Sequence, residues 1–186
     1  MIVYLHGFNS SPQSHKAQLM ARYMASRGLE KEFVCPALPP LASDAIEAIE
    51  KLIQKNACLV GSSLGGFYAT YLAEKHGLKA VLINPAIEPH VGLRAYLGPQ
   101  QNLHTGEPYE LTQAHLREWE KLYAPRITPQ RYLLLVETGD EVLDYRKAVA
   151  RYAGAEQVVI RGGDHSLQSF PEHLPRILAF AGIPLR

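Results

Sequence analysis

Six short runs of apolar residues recur along the chain, separated by turn-forming residues and by segments of helical periodicity. Within each run the apolar residues are continuous rather than alternating, which is typical of strands in a parallel sheet covered on both faces. The runs are residues 2–5, 32–35, 57–60, 79–83, 132–136 and 157–160. Helices are predicted between them at residues 15–26, 43–55, 64–76, 145–152 and 171–180. This alternation predicts an α/β fold, with a parallel sheet and helices on both of its faces.

The composition is that of one globular domain. The chain has 186 residues, of which 47% are hydrophobic, and a folded monomer of this size buries about 70% of the surface of its extended chain. A formal net charge of +1 gives no general attraction to nucleic acid or to an anionic membrane. No apolar run approaches the roughly 18 residues that a membrane span requires. We therefore expect a single domain over residues 1–186, without a nucleic-acid or membrane partner.

The cysteines and the first residues indicate a compartment. Residues 1–7 lack the basic stretch and the long apolar run of a secretory signal. Cys35 and Cys58 both lie in apolar surroundings, and they form no Cys-x-x-Cys pair. We expect buried, reduced thiols in a cytoplasmic protein.

Residues 85–131 interrupt the alternation of strands and helices. This segment has no clear strand, contains six prolines and is rich in Tyr, His and Gln. About 45 residues is too long for an ordinary connection between two strands. We predict an insertion, or lid, before the fifth strand, folded over one end of the sheet and containing a helix near residues 111–123. The alternative is a surface excursion that contacts no ligand.

The most specific motif is Gly61-Ser62-Ser63-Leu64-Gly65-Gly66, between the third predicted strand and the helix at residues 64–76. This context is the one that a Gly-x-Ser-x-Gly nucleophile elbow requires, with Ser63 as the nucleophile. The turn is so tight that side chains two residues before and after the serine would clash, so both places need glycine. A phosphate cradle at the helix N-terminus and a plain tight turn are the alternatives.

A serine hydroxyl needs a base beside it and an acid behind the base. In a parallel sheet these groups come from loops that follow later strands. His165 follows the sixth predicted strand, and Asp140 follows the fifth, which gives the chain order Ser, Asp, His. His6, at the end of the first strand, is the serious rival for the base, since the other six histidines lie in helices or in the insertion. The rival acids are Glu141, Asp144 and Asp164.

Acyl transfer also requires two hydrogen-bond donors aimed at the developing oxyanion. The backbone N–H of Leu64 follows the nucleophile, and we choose Phe8 in the loop after the first strand as the second donor. The insertion offers Arg94, Tyr96 and Trp119 as groups that could contact a substrate, with Arg94 facing an anionic group. The sequence shows no metal-ligand cluster, and the mechanism requires neither a metal nor a cofactor.

Four segments together resemble the α/β-hydrolase superfamily and, within it, the small YqiA-like esterases. They begin at Tyr4-Leu5-His6-Gly7-Phe8, at the Ser63 motif, at Thr138-Gly139-Asp140 and at Gly162-Gly163-Asp164-His165. The resemblance covers essentially the whole chain. It implies a Ser63/Asp140/His165 triad and the hydrolysis of carboxylic esters, or alternatively of acyl thioesters. For the fold, we expect about six parallel strands in the order 2-1-3-4-5-6. A binding module that uses this fold without catalysis is the rival of a different class.

Overall fold

The structure, a computed structural model, describes residues 1–103 and 105–184. His104, one of the six histidines predicted to lie in helices or in the insertion, is outside the described residues. The strands are β1 Ile2–Leu5, β2 Phe33–Val34, β3 Cys58–Ser62, β4 Lys79–Ile83, β5 Gly98–Gln101, β6 Pro108–Leu111, β7 Tyr132–Glu137 and β8 Glu156–Ile160. The helices are α1 His15–Ala25, α2 Ala42–Glu50, α3 Leu64–His76, α4 Pro89–Gly92, α5 Gln113–Lys121, α6 Tyr145–Arg151 and α7 Phe170–Phe180.

Six of the strands form one sheet in the order β2-β1-β3-β4-β7-β8, and every neighbouring pair is parallel. Counted among themselves in chain order, they follow the predicted order 2-1-3-4-5-6. The α/β fold with a six-stranded parallel sheet is therefore confirmed. The carboxyl ends of β1, β3, β4, β7 and β8 lie side by side at one edge, where residues that follow these strands can meet.

The four central strands, β1, β3, β4 and β7, are almost entirely buried because helices cover both of their faces, whereas the edge strands β2 and β8 are only partly buried. Val3 and Leu5 of β1 pack into a core with α2, α3, α5 and α6. Ile2 and Tyr4, which point to the opposite face, pack into a second core with α1 and α7. The central helix α3 is buried along most of its length, so it carries apolar residues around its circumference.

The insertion differs from the prediction, because it contains two strands. Strands β5 and β6 form an antiparallel hairpin apart from the main sheet, and Pro99 pairs with Glu110 while Gln101 pairs with Pro108. Both strands are edges of a two-stranded sheet. Each proline can therefore occupy a position where a backbone N–H would point to solvent, so the N–H that proline lacks is not required. The prolines that argued against strands in the sequence are thus compatible with this hairpin.

The helix of the insertion, α5, was predicted, although it is shorter than expected. It does not cover the sheet edge but packs onto the core beside α2, where Ser43 donates to Glu118 of α5 through both its backbone N–H and its hydroxyl. Leu116 and Trp119 are the buried residues of this helix. The insertion therefore has one part that joins the core and another, the hairpin of β5 and β6, that contacts Asn9 in the loop after β1.

Candidate active site

Ser63 lies between β3 and α3 in a backbone conformation that side-chain-bearing residues rarely adopt, with φ 55° and ψ −119°. A side chain at Gly61 would overlap the carbonyl group of Gly65, and one at Gly65 would overlap the carbonyl oxygen of Leu5 at the end of β1. The turn therefore needs glycine two residues before and two residues after the serine. This arrangement raises the Ser63 hydroxyl above the end of the sheet, as in a nucleophile elbow.

The structure brings Ser63, His165 and Asp140 together although they are far apart in the sequence. His165 Nε2 lies 3.1 Å from the Ser63 hydroxyl oxygen. On the other side of the ring, His165 Nδ1 lies 2.8 Å from Asp140 Oδ2 and 3.0 Å from Oδ1. The Asp140 side chain is 1% exposed and that of His165 is 22% exposed, so the imidazole alone of the pair can be reached from outside.

The surroundings of Asp140 keep its carboxylate ionised. Burial acts to raise the pKa of Asp140, but the hydrogen bond and charge of His165, with the backbone N–H groups of Leu143 and Val142, outweigh it and lower this pKa. Both N–H groups donate to the same oxygen, Oδ1, over 2.8 and 2.9 Å. The second oxygen, Oδ2, is thus directed at the imidazole, which favours a proton on Nδ1 and leaves Nε2 able to accept one from the serine.

The rival residues have other partners. His6 is 3% exposed, and its Nε2 accepts from the backbone N–H of Leu38, which lets Nδ1 donate to the carbonyl of Gly7. Asp144 caps α6 and pairs with Arg146. Among the remaining acids, Glu141 accepts from the backbone N–H of His165, whereas Asp164 accepts from Ser166 and Gln168. None of these carboxylates has a hydrogen bond to the His165 ring among the described residues.

A cavity of about 1010 Å³ opens in front of Ser63 and His165. Phe8, Leu64 and Tyr96 also line it. The rings of Phe8 and Tyr96 meet edge to face at 5.9 Å, which joins the loop after β1 to the insertion.

Two of the predicted substrate contacts are not on this wall. Trp119 is fully buried, and its indole N–H donates to the hydroxyl of Tyr68 over 2.8 Å, so it belongs to the core. Arg94 is exposed and lies outside the set of cavity-lining residues. The cations that do line the cavity are Lys147 of α6 and Lys16 of α1, and the Lys16 ammonium donates to the carbonyl of Ser166. A basic residue in a helix without a motif gave no signal for either position.

Two buried polar residues beside the site were not singled out from the sequence. Asn84 follows β4 and is 2% exposed, while Glu137 ends β7 and is 1% exposed. Both contact the segment that carries His165. Each directly follows an apolar run, which ends at Ile83 for Asn84 and at Val136 for Glu137. The same position after a strand led to the selection of Asp140 and His165, so it could have indicated these two residues as well.

Within residues 1–103 and 105–184, no group of three or more His, Cys, Asp or Glu side chains lies close enough to hold a metal ion. The helices of this described part are also too short or too polar to cross a bilayer.

Residues 1–182 match the protein family described as "Uncharacterised protein family (UPF0227)". The chain belongs to the UPF0227 family. A UPF0227 protein of Serratia proteamaculans is 26% identical over 190 residues, covering 99% of this chain and 100% of its own. One from Vibrio cholerae is 25% identical over 186 residues, covering 97% and 98%. The resemblance to the family therefore extends over the whole domain rather than over the serine motif alone.

Solved structures place this UPF0227 protein in the α/β-hydrolase fold. A protein from Agrobacterium vitis S4 superposes with a TM-score of 0.76 at 21% identity, over 97% of this chain and 87% of that one. Alpha/beta hydrolase domain-containing protein 10 from mouse gives 0.73 at 17% identity, over 96% and 87%. The esterase domain of a Rhodothermus marinus protein gives 0.62 at 16% identity, over 97% and 84%. At these identities the likeness establishes the fold alone.

Proposed function

We propose that this UPF0227 protein is a serine hydrolase that cleaves carboxylic esters through an acyl-enzyme on Ser63. The observation that carries the proposal is the chain of hydrogen bonds from Ser63 through His165 to Asp140, at the wall of a cavity large enough for a small ester. Side chains in this order are the means by which a serine becomes a nucleophile near neutral pH. The structural likeness to an esterase domain supports the same reaction class.

In the first step, the Ser63 oxygen attacks the ester carbonyl carbon while His165 Nε2 accepts the hydroxyl proton. The distance of 3.1 Å between these two atoms is within reach of direct proton transfer. Asp140 stabilises the imidazolium that forms and holds its ring in place. The tetrahedral intermediate then expels the alcohol, which takes the proton from Nε2, and an acyl ester on Ser63 remains.

The negative charge that develops on the carbonyl oxygen needs donors that are already oriented. Leu64 is the first residue of α3, so its N–H has no acceptor within the helix and lies at the positive end of the helix dipole. Gly7 brings the loop after β1 against the serine, since a side chain at Gly7 would lie 3.3 Å from the Ser63 Cβ atom. We assign the backbone N–H of Leu64 and that of Phe8 as the two oxyanion donors.

In the second step, a water molecule attacks the acyl carbon while His165 Nε2 accepts one of its protons. The intermediate releases Ser63, whose oxygen takes the proton back, and the carboxylic acid leaves. We assign Tyr96 to contact with the substrate, because it is half exposed on the cavity wall beside Phe8.

A fluorophosphonate probe followed by peptide mass spectrometry tests this proposal. In the wild type we expect stoichiometric modification of Ser63, and in Ser63→Ala we expect no modification and no ester turnover at nearly unchanged thermal stability. In His165→Ala the labelling rate should fall by orders of magnitude, since the base is gone. Labelling at a residue other than Ser63, or an unchanged rate of ester turnover in Ser63→Ala, would refute the assignment of Ser63 as the nucleophile. The values of kcat/KM for an oxygen ester and a thiol ester with the same acyl group then measure the preference between esterase and thioesterase activity.

A further inference from the structure

The buried carboxylate of Glu137 accepts hydrogen bonds from the segment that carries His165. We call residues 164–169 the histidine loop. Glu137 Oε2 accepts from the backbone N–H groups of Asp164 and Gln168, both over 2.9 Å. Its Oε1 accepts from the backbone N–H and the hydroxyl of Ser169, over 2.9 and 2.7 Å. An ionised carboxylate offers about four acceptor positions, so these bonds fill the side chain's capacity with a single loop.

Asn84 joins the same loop to the sheet. Its side-chain amide donates to the carbonyl groups of Asp164 and His165, both over 3.1 Å. The amide oxygen accepts from the backbone N–H of Glu137 over 3.1 Å, and the backbone N–H of Asn84 donates to Leu135 over 3.0 Å. One side chain thereby connects the end of β4, the end of β7 and the backbone of the residue that carries the imidazole.

The fit between Glu137 and the loop is close and electrostatically favourable. A side chain at Gly163, where φ is +68°, would overlap the Glu137 carboxylate. Burial acts to raise the pKa of Glu137, but the hydrogen bonds from Ser169, Asp164 and Gln168 outweigh it and lower this pKa. The carboxylate is therefore ionised at neutral pH, and charge-assisted hydrogen bonds of this kind are about twice as strong as neutral ones.

We propose that Glu137 and Asn84 are positioning residues that set the reach of His165 to Ser63 by fixing the backbone of the histidine loop. This inference rests on the proposed function. Neither residue lines the cavity, so each would act through His165 and not on the substrate. A misplacement of about 1 Å between reacting groups can cost 100-fold in rate. Without these anchors, the 3.1 Å contact between the imidazole and the serine would no longer be the populated geometry.

The first test is Glu137→Gln, which keeps the shape of the side chain but places an NH₂ group where the loop presents only donors. We expect kcat for an activated ester to fall roughly 10- to 100-fold with little change in KM, because substrate binding is untouched. In the His165→Ala background the same change should cost nothing further, since residues that act as a unit are not additive. The residual rate of that variant is measurable at high enzyme concentration.

Glu74→Gln is the matched control. Glu74 of α3 also accepts four hydrogen bonds, from the backbone N–H and the hydroxyl of Thr128, from Arg131 and from Tyr132. It serves a polar network away from Ser63, so its loss should lower the melting temperature while leaving kcat within twofold. If Glu137→Gln does not fold, Asn84→Gly replaces it, and the same loss of kcat is expected in the wild type and the same absence of a further loss in the His165→Ala background. Asn84 has a φ of 39°, a value that glycine adopts without strain.

A proton NMR measurement separates this inference from the proposed function. The imidazole N–H between His165 and Asp140 should give a downfield resonance in the wild type that is absent in His165→Ala. In Glu137→Gln we expect this resonance to shift or broaden, whether or not any ester is turned over. A wild type without ester turnover or Ser63 labelling would refute the proposed function alone. An unchanged resonance and kcat in folded Glu137→Gln, or an equal loss of kcat in the His165→Ala background, would overturn the positioning role.

Discussion

The substitution Asp140→Asn should disable the site by reversing a hydrogen bond while its shape is kept. An asparagine has one acceptor oxygen, and the N–H groups of Val142 and Leu143 both require an acceptor at the position of Oδ1. The NH₂ group must therefore occupy the position of Oδ2, 2.8 Å from His165 Nδ1. Nδ1 also lies 3.0 Å from the position of Oδ1, but that oxygen already accepts from two N–H groups, so the nearer NH₂ group favours an accepting Nδ1 with the ring proton on Nε2. The imidazole then faces Ser63 with a donor and cannot take its proton.

The size of the effect follows from the loss of the base. In triads of this kind, an asparagine in place of the aspartate lowers kcat about 10⁴-fold, which corresponds to roughly 5.4 kcal/mol in the activation free energy. KM should change little, because Asp140 lies behind the imidazole and not against the substrate. We expect the rate of fluorophosphonate labelling of Ser63 to fall by a similar factor, since the same proton transfer limits it.

The assay compares kcat for an activated ester in the wild type, in Asp140→Asn and in Asp144→Asn. The last variant is the matched control, because Asp144 caps α6 and asparagine is an equally good N-cap. It should keep its kcat within a factor of about 2, well below the loss expected for a catalytic acid. If Asp140→Asn retained a tenth or more of the wild-type kcat, the argument from the locked amide would be wrong. The acid would then have to be sought among the other carboxylates near the histidine loop.

Two further outcomes test the core and the histidine loop. Trp119→Phe leaves the buried hydroxyl of Tyr68 without its donor, so it should cost about 1–3 kcal/mol of unfolding free energy, with a lower melting temperature and unchanged kcat/KM for a small ester. The pKa of Glu137 is lowered in the folded state, so its carboxylate stabilises the fold above the unfolded value of about 4.3 and loses this contribution as the pH falls through the folded value. The free-energy difference between wild type and Glu137→Gln in urea unfolding should therefore shrink from pH 7 to pH 3.5, and a constant difference would contradict this.

The sheet and the three polar residues at its edge could be predicted because each leaves a local signal. Continuous apolar runs identify strands buried on both faces, and parallel strands present their carboxyl ends at one edge. Ser63, Asp140 and His165 each follow such a run within a few residues. Gly61 is a local signal as well, since the clash that it avoids is with Gly65 inside the same turn, whereas Gly65 avoids a clash with the distant Leu5 at the end of β1.

Residues whose roles depend on distant partners could not be placed in this way. Trp119 and Arg94 are both in the insertion, but only the packing of α5 on the core decides that one is buried. The hairpin of β5 and β6 has two prolines and little alternation of apolar and polar residues, and it contacts Asn9 in the loop after β1. Glu137 ends an apolar strand, and no sequence rule shows that its partners lie 27 to 32 residues later.

The contacts of Asn9 show why the insertion belongs to the architecture of the site. Asn9 follows Phe8, has a φ of 52° and accepts from the hydroxyl of Tyr109 over 2.6 Å, while its own amide donates to Gln100. Its backbone carbonyl accepts from Leu103 at the end of the hairpin. Gly7, on the other side of Phe8, is pressed against the serine turn. Phe8 thus lies between a residue that contacts the serine turn and a residue that contacts the hairpin, and both contacts orient its N–H. A change in the hairpin that weakens the contacts of Asn9 would therefore displace the proposed oxyanion donor more than any residue of the triad.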